Sequence, residues 1–86
     1  MPIAEDKKFA FIQAFQAHVN FPEATLSKID GVRAEFSDGW GLVRASNTSP
    51  YLILRFEADN LPALKRIQTL FRNTLLAMDP DLKLPF

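Results

Sequence analysis

Residues 44–50 read Arg44, Ala45, Ser46, Asn47, Thr48, Ser49 and Pro50, one fixed positive charge followed by hydroxyl and amide donors. Such a set suits an anion. A guanidinium offers a planar fork to two oxygens, Ser46 and Thr48 add hydroxyls, and Asn47 adds an amide. Backbone N–H groups of a turn can converge on the same point as a nest. A phosphate monoester, with nearly two negative charges and strong acceptor oxygens, would use all of these donors. A single arginine among neutral donors holds phosphate yet lets it leave, which a lysine cluster does less well. Two other readings fit the same residues. Ser, Thr and Asn satisfy their own backbone in turns, so the run also reads as a polar connection with Pro50 setting the next strand. Asn47-Thr48-Ser49 matches the N-glycosylation acceptor pattern, but "MPIAEDKKFAF" carries charges where a signal peptide needs an unbroken apolar core.

Other residues invite chemistry less. His18 is the single histidine and has no serine–carboxylate arrangement or second ligand near it in sequence, so it reads as a surface or boundary residue. Trp40, between Gly39 and Gly41, is able to stack on a sugar but reads first as a packing residue where a strand starts. Lys65-Arg66 falls on the wet face of a helix. Asp79 and Asp81 flank a proline at a helix end, a poor geometry for a metal. With no cysteine in 86 residues, disulfides, thiolate zinc sites and a cysteine nucleophile are excluded. Ten basic residues balance ten acidic ones, which argues against a duplex-coating protein. Single-stranded nucleic acid stacked on Tyr51 would need a charge that the chain does not carry. No apolar run approaches the ~20 residues of a membrane span, and a cytoplasmic location is the default expectation.

The elements that must position the polar run follow from periodicity. Phe11, Ile12, Phe15 and Val19 share a helical face that Asp6 caps, and the helix stops near Asn20 because Pro22 disfavours helical geometry at Phe21. "TLSKI", "VRAEF" and "GLVRA" read as strands joined by two-residue hairpin turns at Asp30-Gly31 and Asp38-Gly39. Val32, Ala34 and Phe36 alternate with Arg33 and Glu35, as in a sheet with one wet face. "YLILRFEA" is the fourth strand, with Leu52, Leu54, Phe56 and Ala58 on one side. Asn60 caps a second helix whose stripe is Leu64, Ile67, Phe71, Leu75 and Met78, and Asp79-Pro80 ends it. The expected fold is a single α+β domain over residues 1–86, order α-β-β-β-β-α, a four-stranded antiparallel sheet with both helices on one face. Residues 1–5 are expected to be flexible. The other sheet face, assigned Tyr51, Ile53 and Val43, must meet water or another domain.

"DGWGLVRASNTSPYLILRFEA", with "ALKRIQTLFRNTLLAMDP" and the closing "LPF", resembles the C-terminal domain of bacterial phosphomannomutase/phosphoglucomutase, in the α-D-phosphohexomutase superfamily. The resemblance runs from about Phe9 to Phe86 and is most specific from Asp30 to Ala58. "RASNT" is the form of the mannose/glucose branch, where the glucosamine branch usually reads Arg-Pro-Ser-Gly-Thr. Ser49 departs from the glutamate that many relatives place before the proline, which touches loop anchoring and not the phosphate donors. The resemblance implies an intramolecular phosphotransferase that interconverts hexose 6-phosphate and hexose 1-phosphate, glucose or mannose, through a bisphosphate intermediate. It implies magnesium and a phosphoserine for the full-length enzyme, with their residues outside this chain. It also implies that Arg44, Ser46, Asn47 and Thr48 contact the phosphate not being transferred, and that this domain closes the cleft. On that reading the chain is an excised, monomeric, non-catalytic domain whose partners are the phosphosugar and the enzyme's other domains. The rival expectation is a docking module with no ligand of its own.

Overall fold

Four strands form one continuous antiparallel meander in the computed structural model of the chain, which describes residues 3–4, 6–29 and 31–86. The order is α1 (Lys8–His18), β1 (Thr25–Ser27), β2 (Val32–Phe36), β3 (Gly39–Ala45), β4 (Leu52–Ala58) and α2 (Leu61–Met78). The sheet runs β1-β2-β3-β4; α1 packs on β2 and β3, α2 on β3 and β4, and the helices touch each other. This is the expected α+β arrangement.

Phe71 is the centre of the core. It is fully buried, its ring centroid lies 5.2 Å from those of Phe21 and Phe56 and 6.0 Å from that of Phe15. The ring rests on bare backbone of β3, since a Cβ added at Gly41 would lie 2.5 Å from Phe71 Cε1. The glycine is therefore what lets α2 approach so closely. Asn60 caps α2 as its position foretold, its Oδ1 accepting the Ala63 N–H at 2.9 Å.

Several details differ from the sequence reading. Asp6 does not cap α1. A Lys7 N–H to Ala4 carbonyl bond of 2.9 Å closes a turn ahead of the helix, which puts Lys7 at the cap with no side-chain bond. Val43 belongs to the core face and is completely buried, because it pairs with Leu54 just as Gly41 and Ala45 pair with Phe56 and Leu52, and opposed residues of antiparallel strands share a face. The open face instead carries Trp40, Leu42 and Arg44 beside Arg33, Glu35, Ile53, Arg55 and Glu57. The β2–β3 turn is Ser37-Asp38, one residue earlier than expected, since Gly39 pairs with both Phe36 and Ala58. Gly39 is drawn into the strand because β4 passes too close for a side chain, its Ala58 Cα 2.8 Å from where a Cβ would stand. The β1–β2 connection occupies residues 28–31 and is wider than a two-residue turn. Gln16 holds it open against α1, its Nε2 donating to the Lys28 carbonyl at 2.8 Å and the Gly31 carbonyl at 3.0 Å.

Asp30, together with Met1, Pro2 and Glu5, lies outside the described residues, so the expectation of flexibility for residues 1–5 concerns mostly undescribed chain. Ile3 within that stretch packs against the core and donates its N–H to the Pro50 carbonyl at 3.0 Å.

Candidate functional site

The β3–β4 connection gathers the sequence-assigned residues at one end of the sheet. Arg44 is the penultimate residue of β3, paired with Ile53; Ser46, Asn47 and Thr48 follow at once. Ser46 N–H donates to the Tyr51 carbonyl at 3.0 Å and Tyr51 N–H to the Ser49 carbonyl at 2.8 Å, closing the loop at its base. Thr48 N–H donates to Ser46 Oγ at 3.4 Å, which leaves the Ser46 hydroxyl proton free to donate elsewhere. The Asn47 and Thr48 side chains are exposed and form no hydrogen bond with the described residues. Among the described residues these side-chain donors have no acceptor.

Arg44 is half-buried and makes no hydrogen bond or ion pair with the described residues. That is unusual for a partly desolvated guanidinium, which ordinarily finds a carboxylate or carbonyl. Its base is crowded by Gly31, whose φ of +138° only glycine adopts readily and whose missing Cβ would lie 2.8 Å from Arg44 Cβ. Gly31 thus braces the arginine from the end of the β1–β2 connection. Arg44 borders two clefts. One, of about 350 Å³, opens between α1 and the β3–β4 loop, with Phe9, Gln13, Gln16 and Asn47 among its walls. The other, of about 370 Å³, lies on the open face beside Arg33, Leu42 and Ile29. Arg44 lines both.

A charged group that sequence reasoning missed lies behind the loop. Lys8, in the first turn of α1, is fully buried, and its Nζ donates to the Ser49 carbonyl at 3.1 Å. The signal was present: Lys8, Ile12, Phe15 and Val19 are spaced four, three and four apart, so the lysine occupies the inward stripe of α1. The ammonium also lies 5.1 Å from the Phe9 ring, which lines the first cleft.

The remaining candidates are placed elsewhere. His18 is exposed, and its Nδ1–H donates to the Ala14 carbonyl at 3.0 Å. Asp79 Oδ1 accepts the Asp81 N–H at 3.1 Å, a use in backbone turning. Trp40 is half-buried on the open face with the Arg33 guanidinium 4.4 Å from its ring centroid. Arg66, expected to be solvated, makes a two-point bridge to Asp38 at 2.5 and 2.7 Å, clipping α2 to the β2–β3 turn. That hydrogen-bonded guanidinium holds the Asp38 carboxyl below its usual value. Among the described residues no group of three or more His, Cys, Asp or Glu side chains comes together to hold a metal, and no helix is long and apolar enough to cross a membrane.

Comparison with known proteins identifies the family. Residues 2–74 match the family "Phosphoglucomutase/phosphomannomutase, C-terminal domain". The chain is 52% identical over 84 residues to a phosphomannomutase/phosphoglucomutase of Pseudomonas aeruginosa, covering 98% of the chain and 18% of that protein. It is 48% identical over 75 residues to a phosphoglucomutase of Neisseria gonorrhoeae, covering 86% of the chain and 16% of the relative. A crystal structure of a phosphoglucomutase/phosphomannomutase family protein from Burkholderia thailandensis superposes with a TM-score of 0.85 at 45% identity, over 92% of this chain and 18% of that one. The chain therefore belongs to the phosphoglucomutase/phosphomannomutase C-terminal domain family. It spans under a fifth of the length of these relatives.

Proposed function

We propose that this chain is the substrate phosphate-binding and cleft-closing domain of a cytoplasmic phosphohexomutase that interconverts hexose 6-phosphate and hexose 1-phosphate through a bisphosphate intermediate. The observation that carries the reading is the half-buried Arg44, which has no hydrogen-bond or ion-pair partner among the described residues, at the mouth of a loop rich in hydroxyl and amide donors. Arg44 would bind two phosphate oxygens, and Ser46, Asn47 and Thr48 would supply neutral donors around them. No step of phosphoryl transfer falls to these residues. They grip the far end of the sugar so that binding energy from the idle phosphate positions the reacting end and favours closure. The isolated chain is then a binding module without mutase activity. Magnesium is assigned to the rest of the full-length enzyme, and the grip described here does not involve it.

An amide NMR titration with glucose 1-phosphate, glucose 6-phosphate and glucose tests the proposal. Saturable shifts centred on Arg44–Thr48 are expected with both phosphosugars and not with glucose. The expected Kd is about 1 mM or weaker, since one loop supplies ~4 kcal/mol or less. Arg44→Ala, with its remaining spectrum folded, abolishes them. Phosphosugars that leave the loop amides unmoved at tens of millimolar would overturn the phosphate grip for this chain. That result would favour a docking module, for which the uncovered Leu42, Ile53 and Trp40 face offers a surface.

A further inference from the structure

Building on that phosphate-binding reading, we infer that Lys8 is a positioning residue for the loop: from inside the core it holds the carbonyl of Ser49, and with it the turn that presents Ser46, Asn47 and Thr48 to the ligand. A lysine with no exposed surface costs desolvation free energy that a leucine at the same stripe position would not. Retaining it calls for a use of the ammonium. One use is the 3.1 Å bond to the Ser49 carbonyl, across 41 residues of sequence. The bonded atom is specific in its effect. The same Ser49 carbonyl accepts the Tyr51 N–H at 2.8 Å, so two donors converge on it at the loop's hinge point. The neighbouring Pro50 carbonyl is held in turn by the Ile3 N–H. The far side of the loop is thereby tied to the segment leading into α1, and the donors on its near side are left to face outward. A ligand that needs four donors in one geometry gains from this, because loop ordering has been completed before binding. Ser49 enters through its backbone, so the residue type at this position matters less than the carbonyl's place.

The test compares the 86-residue chain with Lys8→Met, which keeps length and apolar bulk while removing donor and charge, and with Lys8→Arg, which restores both. In ligand-free samples, {¹H}–¹⁵N heteronuclear NOE values for residues 46–49 and 51 are expected to fall in Lys8→Met and to recover in Lys8→Arg. With glucose 1-phosphate, Kd is expected to rise about tenfold in Lys8→Met, the size of losing one charged hydrogen bond's worth of ordering, and to return to within about threefold in Lys8→Arg. A merely structural lysine would lower the urea midpoint and leave both the loop order and the Kd of the folded protein unchanged; that outcome overturns the assignment while the phosphate reading stands. A wild-type chain that does not bind phosphosugar overturns the phosphate reading, and this assignment with it. Should Lys8→Met not fold, the wild-type Lys8 ammonium decides the matter by ¹⁵Nζ-detected NMR. A slowly exchanging ammonium signal that moves on saturation with glucose 1-phosphate supports the role, and one that exchanges like a surface lysine or ignores the ligand overturns it.

Discussion

Two cations flank the same loop and do different work. Arg44 stands at its mouth without a hydrogen-bond partner among the described residues, and Lys8 stands behind it bonded to the Ser49 carbonyl. On the proposed reading Arg44 acts through the shape of its fork, which an ammonium cannot reproduce. Arg44→Lys is therefore expected to weaken glucose 1-phosphate binding about tenfold although charge is preserved, measured by the same amide titration. Equal affinity would reduce Arg44 to a point charge. The anion donors were legible in the sequence because Arg44, Ser46, Asn47 and Thr48 are contiguous and need only a turn to converge. Lys8 was not, although its spacing from Ile12 and Phe15 was in view. A lysine on an apolar stripe is usually taken to snorkel outward, and the Ser49 carbonyl that this one meets is 41 residues away in sequence.

Among the elements, helix starts and strand faces depended on how local the governing contact was. Asn60 and its i+3 amide are neighbours in sequence, and the cap was readable. Val43 was assigned to the open face, and only its pairing with Leu54 of β4 places it in the core. Which residues a strand includes was decided by β4, whose close passage admits only a glycine at position 39. The wide β1–β2 link likewise depends on Gln16, twelve and fifteen residues away from the carbonyls that it binds. The clip between α2 and the β2–β3 turn has a pH signature. Asp38 titrates lower in the folded chain than in the unfolded one, so its contribution is full above the unfolded value of ~3.9 and is lost as pH falls through the lower folded value. The difference in urea midpoint between wild type and Asp38→Asn is expected to hold steady from about pH 7 to pH 5 and to vanish by about pH 2–3. A gap that persists in strong acid would show that the bridge is not its source. The pair is open to solvent, so the gap is expected to be small and to shrink with added salt.

As a whole molecule the domain depends on one aromatic centre. Phe71 meets three other phenylalanine rings and the bare backbone of Gly41, joining both helices and the sheet in one cluster. Phe71→Ala is expected to cost ~3–5 kcal/mol, against a total of roughly 5–10 kcal/mol for a chain of this size. Urea denaturation followed by circular dichroism should place the variant's midpoint at less than half the wild-type concentration. A shift smaller than a quarter would mean that the core closes over the gap. The α-β-β-β-β-α order and the stripe of α2 were readable from periodicity alone, because burial repeats along each element. What lies over the open face of the sheet was not, since that face carries both apolar and charged residues, Leu42 and Ile53 among Arg33, Glu35, Arg55 and Glu57.

The stacking of Arg33 on Trp40 has an optical consequence. Trp40 is the only tryptophan of the chain, and it lies on the uncovered side of the sheet with a guanidinium over its ring. Intrinsic emission from this protein consequently samples the outward surface and not the phenylalanine cluster beneath the helices. Its wavelength would register a neighbour settling on that surface, while loosening of the interior alone would pass almost unseen. The same indole that is a poor gauge of the core is a built-in lamp on the side where other domains would come to rest.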